Sequence, residues 1–495
     1  MQDSKRRMLM GLLAALFACA IGLQINISPV HKRIVDREMI IGGESSAGNV
    51  MVELPGQFII ASFTGFRQVI AGALWVRADD FFHRGEYQAI VPLVRMVTWL
   101  DPHNIDVFTT GAWHLDYNFV DEANSLSDKR YIPASVALMR EGIRNNPKIW
   151  DLYFELGWTH YARKLMDDEK ALECIQEACK RDSVDPNTGE KQARPEFVDR
   201  MLAHQLEKVG RFDDAIAQWE VSKQAIRKAM AANKKKPGSG GYADETSIEL
   251  CNRNLSLLLL RLGWRYGRMD YYEKGLQISE TIKGDPKQVE ATASARKDFE
   301  SRRGKKWVGD AMKPLDAGFE VSWLRAAPQV LLIKGKLNLA PSSEYKNLAS
   351  EPFTHWYREN EKANAQTHQA WRDGSRVCWR LQDYDYKMDD LDSFNFKINR
   401  DQTVAWGDIY VAGGSFSSRI DMGDPRDREM YPFKAKKYKL TIWVSSVNPG
   451  LPDYIQDRVG WKGEALTDKR YLDTTTRPGF KMLRKEFILS RSDII

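Results

Sequence analysis

Cysteine is scarce here: Cys19, Cys174, Cys179, Cys251 and Cys378 are the five found among 495 residues. That number and spacing exclude a disulfide-built scaffold. Cys174 and Cys179, five apart on a stretch of helical pattern, read as small apolar fillers of a core. Histidine is nearly as rare, with eight residues and no two at the spacing by which a helix holds a metal. Neither sign of charge dominates, because 73 basic against 67 acidic residues leave a formal charge of +6. Such a balance gives no footprint for nucleic acid, so no nucleic-acid partner is expected.

Catalytic spacing is missing as well. The sequence has no Gly-x-Ser-x-Gly, no phosphate loop ending in Gly-Lys-Ser/Thr, no His-Glu-x-x-His and no Cys-x-x-Cys-His. The expectation is a protein without catalytic residues, cofactor or metal. An enzyme assembled from distant residues of the C-terminal part is the rival that stays open.

Long apolar runs are limited to one. Lys5, Arg6 and Arg7 precede Met8 to Leu23, and with Gln24 to Ile27 the stretch reaches the roughly 30 Å of a hydrocarbon core as a helix. Basic residues stay on the cytoplasmic side, which predicts export of the remainder. Residues 1–30 are thus expected to be a signal anchor or transmembrane helix of a bacterial inner membrane, with the bulk of the chain periplasmic. Ala18-Cys19-Ala20 keeps a cleaved signal peptide open, and Leu16 to Cys19 keeps a lipoprotein open. Residues 31–57 follow as a connector.

Between residues 58 and 286 apolar residues recur at helical spacing, and an internal repeat is visible. Leu74, Ala78, Gly85, Tyr87 and Ile90, ending at Pro102, are followed by a second copy at Leu202, Ala203, Leu206, Gly210, Phe212, Ala215 and Trp219. A third copy holds Tyr153, Leu156, Gly157, Ala171, Leu172 and Ala178, and a fourth holds Phe108, Ala112 and Leu115. Small residues let two antiparallel helices approach, and a glycine closes the first of each pair. These residues resemble the tetratricopeptide-repeat (TPR) family from about Gly72 to Pro286. The resemblance implies a helical solenoid whose concave groove binds proteins or peptides. It also places Trp75, Phe82, Trp113, Phe154, Trp158 and Tyr161 in that groove as aromatic anchors. The competing reading packs the same rings between helices.

Residues 287–316 read as a basic helical linker, with Arg302, Arg303, Lys305 and Lys306. From about residue 317 the period shortens, and runs such as Val330–Leu339, Arg376–Leu381 and Tyr438–Val444 alternate like strands. Residues 317–450 are expected to be an antiparallel β-sandwich, followed by an extended tail, 451–495. The acidic stretch Asp383, Asp385, Asp389, Asp390 and Asp392 loosely resembles the calcium loop of C2 domains, with Asp383, Asp385 and Asp390 as candidate ligands. Its spacing is shorter than that pattern, and a solvated acidic turn is the preferred reading. The whole is a multidomain, α-then-β chain expected to act as a non-catalytic interaction scaffold or assembly factor of the cell envelope. A calcium- or lipid-responsive adaptor is the alternative.

Overall fold

Small residues decide how the helices of this chain pair. A computed structural model describes residues 66–118, 131–184, 191–192, 194–235, 243–284, 286–306, 308–309, 312–339, 372–386, 402–423, 431–447 and 453–495. Near the N-terminal end of these, α1 (Arg67–His83) and α2 (Tyr87–Leu100) form a hairpin that belongs to a compact unit of its own. Ala71, Leu74 and Ala78 on α1, and Ile90, Val94 and Val97 on α2, are its buried stripe.

The second unit starts at Pro102. Its helices are α3 (Ile105–Trp113), α4 (Ile132–Asn145), α5 (Trp150–Glu155), α6 (Asp168–Cys179), α7 (Phe197–Lys208) and α8 (Phe212–Lys235). They continue with α9 (Glu245–Tyr266), α10 (Met269–Ser279) and α11 (Pro286–Arg302). Successive helices pack in pairs, α3 with α4, α5 with α6, α7 with α8 and α9 with α10. Close approach explains the small residues. A Cβ on Gly157 would stand 2.9 Å from Cys174 Cβ and 3.0 Å from the Ala171 carbonyl oxygen, and Ala203 and Ala215 are wholly buried. The turn of the α7–α8 pair is closed by Gly210 and that of α9–α10 by Gly267, each at φ 72°. The basic stretch after residue 286 includes α11, which packs on α10 through Tyr272 and Phe299, ring centroids 5.6 Å apart.

This pairing is TPR-like, but it does not make the regular solenoid expected. α3 runs into a π-helical turn, His114–Asn118, and α5 continues as a π-helix, Leu156–Leu165. A short hairpin, β1 (Ser183–Val184) with β2 (Lys191–Gln192), separates α6 from α7. Each π-helical run inserts extra residues per turn and rotates whatever follows it.

The C-terminal strands correct the expected sandwich. β3 (Glu320–Ala327), β4 (Val330–Lys336), β5 (Arg372–Asp383), β6 (Val404–Ala412), β7 (Ser415–Asp421), β8 (Lys437–Ser445), β9 (Leu472–Asp473) and β10 (Met482–Ser490) belong to one sheet. Their order is β3-β4-β7-β6-β5-β8-β10-β9, every neighbour antiparallel, in a sheet curled into a half-barrel. Two stacked sheets would need separate ladders; here β6 and β7 stay joined through Ala412 and Ser415 around Gly413-Gly414. Alternate side chains fill the curl, among them Ile333, Val377, Trp379, Leu381, Leu440, Ile442 and Leu483. Its ends nearly meet: Leu315 N–H donates to the Ala465 carbonyl at 2.7 Å, and Gln329 N–H to that of Ile494 at 2.6 Å. Within 451–495, expected as an extended tail, lie α12 (Asp453–Val459), β9 and β10, the last paired along its length with β8.

Residues 453–481 act as a strap that fastens the sheet to the helices. Arg261 and Arg265 of α9 reach Asp457 of α12, and Tyr266 donates to Glu464 at 2.8 Å. Trp461 meets Phe212 at the start of α8 edge to face, centroids 4.8 Å apart, and Lys462 lies against Gly210. Arg477 pairs with Glu169 of α6 at 2.7 Å. The strap therefore touches the turns of three successive helix pairs.

Among the described residues no helix is long and apolar enough to cross a membrane. The longest, α8 and α9, carry too many charged residues for a hydrocarbon core. The expected single-pass inner-membrane architecture, with its periplasmic bulk, is corrected to that extent. The apolar run of residues 1–30 and the connector 31–57 lie outside the described residues.

Candidate partner-binding surface

Two of the expected aromatic anchors present themselves at the surface of the second unit. Trp113, at the end of α3, is 42% exposed and stacks on Tyr117, with centroids 5.8 Å apart and planes 15° apart. Lys164 Nζ lies 3.5 Å from the Tyr117 centroid, and the Tyr117 hydroxyl donates to the Thr159 carbonyl at 3.2 Å. The π-turn after α3 is thereby tied to the π-helix after α5. Next to Thr159, the half-buried Trp158 stacks on Phe154 at 6.5 Å and is flanked by Arg163 at 4.8 Å and Lys208 at 5.3 Å. Lys208 also acts on the Asp168 carboxylate at the start of α6. Rings with cations beside them thus form a stripe in two parts, Trp113 with Tyr117 and Trp158 with Arg163 and Lys208, linked through the backbone of Thr159.

Phe154 and Tyr161 fall elsewhere. Phe154 packs edge-on against Phe197 of α7 at 5.4 Å, inside the core that the α5–α9 helices share. Tyr161 is 2% exposed, and the Arg140 guanidinium donates to its hydroxyl at 2.5 Å. Burial pushes that hydroxyl up to about 12. The π-helix accounts for the difference, because its wider turn carries position 161 away from the face that holds Trp158. Trp75 and Phe82 sit on α1, both partly buried within the N-terminal hairpin.

Sequence reading missed the polar partners of the stripe. Tyr117, Lys164 and Lys208 carry no motif, and only the fold brings them to the rings. It likewise missed a buried cluster in which Ser135 Oγ and Asp116 Oδ2 lie 2.8 and 2.5 Å from His160 Nδ1. The residue types are those of a nucleophile triad, but the arrangement is not. Both partners address one ring nitrogen, whereas a relay needs the serine on the other. All three side chains are closed to solvent. The cluster ties α4 and the two π-helical runs together.

Of the acidic stretch, Asp383 and Asp385 lie among the described residues. Asp383 accepts the Thr403 backbone N–H at 3.2 Å, and burial raises its carboxyl to about 6. Asp385 lies beside it, while Asp390 falls outside the described residues. No group of three metal-ligating side chains occurs among the described residues. Burial pushes the thiols of Cys174 and Cys179 up to about 12, which leaves them unreactive.

No family model matches this chain, and no curated protein matches it. Solved structures similar to it include MamA, at 14% identity and a TM-score of 0.27, covering 45% of this chain and 100% of that one. PilF of Pseudomonas aeruginosa is similar at 15% identity and a TM-score of 0.24, over 48% of this chain and 99% of that one. PilW, described as a widely conserved type IV pilus biogenesis factor, is similar at 13% identity and a TM-score of 0.22, over 45% and 98%. The reading of this chain's fold rests on its own helix pairs.

Proposed function

We propose that this protein is a non-catalytic interaction scaffold, which holds a segment of a partner protein against the aromatic stripe at the end of α3 and on the π-helical runs that follow α3 and α5. The observation that carries this reading is Trp113, a large ring left exposed yet held rigid by its stack on Tyr117. A fixed aromatic offers contact area at little entropic cost, which is the property of an interface anchor. The flanking Arg163 and Lys208 add hydrogen-bond donors beside Trp158.

The test is chemical crosslinking in the source cells followed by purification of the full chain. Trp113→Ala with Trp158→Ala should lose the crosslinked partner while the circular-dichroism melt stays within a few degrees of wild type. Recovery of the same partner in undiminished yield would overturn the reading.

A further inference from the structure

The second candidate site lies on the sheet, away from the aromatic stripe. β6 and β7 are consecutive strands joined by a two-glycine turn, yet their ladder consists of the single pair Ala412 and Ser415. Past that pair each follows a different neighbour, β6 along β5 and β7 along β4. One edge of β7 is therefore left without a partner among the described residues. Which backbone groups it presents follows from the two ends of the strand. Leu337 N–H donates to the Gly414 carbonyl at 3.0 Å and Met422 N–H to that of Gln329 at 2.9 Å, so positions 414 and 422 face β4. Strand alternation turns Phe416, Ser418 and Ile420 the same way, and turns the N–H and C=O of Ser417 and Arg419 into the gap. From Ser415 to Asp421 this edge runs roughly 20 Å.

The gap opens on a cleft of about 1020 Å³ with an uneven charge. Its lining holds Lys334, Lys336 and Arg470 against Glu320 and Asp408. Both acids are already engaged, Glu320 by Lys336 at 3.3 Å and Asp408 by Arg376 at 2.9 Å. Lys334 and Arg470 have no ion pair among the described residues. Lys334 stands opposite Ser417 in the β4–β7 register, at an exposed position. Serine is too short to screen its ammonium group from whatever lies on the far side of β7.

We infer that the free edge of β7 takes up an extended, acidic peptide segment of a partner protein as an added strand. Main-chain hydrogen bonds to Ser417 and Arg419 hold it, and its carboxylates meet Lys334 and Arg470. The unpaired backbone is what points to a peptide, because donors and acceptors that alternate along an edge are matched by another extended chain. A sugar or a lone phosphate answers the cations and leaves that edge bare.

Panning a phage library of random twelve-residue peptides on the full chain tests this, with counter-selection on the Lys334→Glu, Arg470→Glu variant, changed at two exposed positions. The surviving peptides should carry more Asp and Glu than the input library. In fluorescence anisotropy they should bind the variant at least tenfold more weakly than wild type. The added strand is read from two copies of a surviving peptide, N-methylated at alternate nitrogens in opposite phase. One copy should lose binding at least tenfold and the other keep it, because only one set of its N–H groups faces β7. Survival of no peptide, or of peptides without an acidic excess, would overturn the inference. So would the same response of both N-methylated copies, which leaves charge alone to hold the ligand. Trp113→Ala should bind the peptides as wild type does, and a tenfold loss there would assign them to the aromatic stripe instead.

Discussion

Arg265 of α9 and Asp457 of α12 are hydrogen-bonded across 192 residues of chain. The guanidinium is wholly buried and the carboxylate nearly so, and Arg261 adds a second bond to the same oxygen at 3.1 Å. Trp461 lies over both guanidiniums, 4.3 Å from that of Arg265. Removing the acid would strand a buried cation. Asp457→Ala is therefore expected to cost about 3–5 kcal/mol. Arg268→Ala, which breaks an exposed pair with Asp270, should cost under about 1 kcal/mol. Urea denaturation of both variants checks the contrast, and equal midpoints would show that the strap is not held by this contact.

The helix pairs make a second expectation. Ala203 is wholly buried where α7 meets its neighbours, so Ala203→Leu should overpack the contact by about 1–3 kcal/mol. An unchanged thermal midpoint would mean that α7 and α8 do not approach as closely as described.

Phe154 and Trp113 should separate folding from binding. Phe154→Ala empties a core position and is expected to destabilise by about 3–5 kcal/mol. Trp113→Ala exposes nothing further and should cost less than about 1 kcal/mol, while partner affinity falls by about 2 kcal/mol or more, some thirtyfold. Thermal melts and pull-down yields measured on the same two preparations decide it. A matching loss of stability in both variants would place Trp113 in the core.

Asp383 predicts a pH dependence. Burial raises its carboxyl from 3.8 to about 6, so the fold prefers the protonated form. The stability this confers is complete below about pH 4 and is lost as pH rises through 6. The displacement sets a ceiling of about 3 kcal/mol. Partial exposure screens this to about 1 kcal/mol. Asp383→Asn keeps an acceptor for the Thr403 N–H and should be about 1 kcal/mol more stable than wild type at pH 7.5, the gap closing by pH 4. Denaturation curves at both pH values would refute this if the gap were constant.

Much of the helical half was legible because close packing restricts residue choice. Gly157, Ala203 and Gly210 stand where only a small side chain or a left-handed backbone fits, and such positions announce themselves in sequence. The groove was less legible. Tyr161 was expected beside Trp158, but an α-helical count cannot foresee a π-helix, and the extra residue per turn moved it inward. The sheet was legible as strands and misread as a sandwich. What decides between the two is the ladder between β6 and β7, a long-range pairing that alternation within each strand does not encode. β10 escaped notice for a related reason: Arg484, Lys485 and Glu486 interrupt its apolar alternation, and its partner β8 lies before the strap.

That strap has a mechanical consequence. A row of helix pairs in which each touches only its neighbours is a spring, and small rotations between pairs add up along it. Here one stretch of chain is tied at Glu169, at Gly210 and Phe212, and at Tyr266, so three consecutive coils share a brace. Over those coils the spring becomes a rod. Stretched between its ends, the molecule should extend first in the coils before Glu169, and the braced length should yield only when Asp457 is pulled from Arg265.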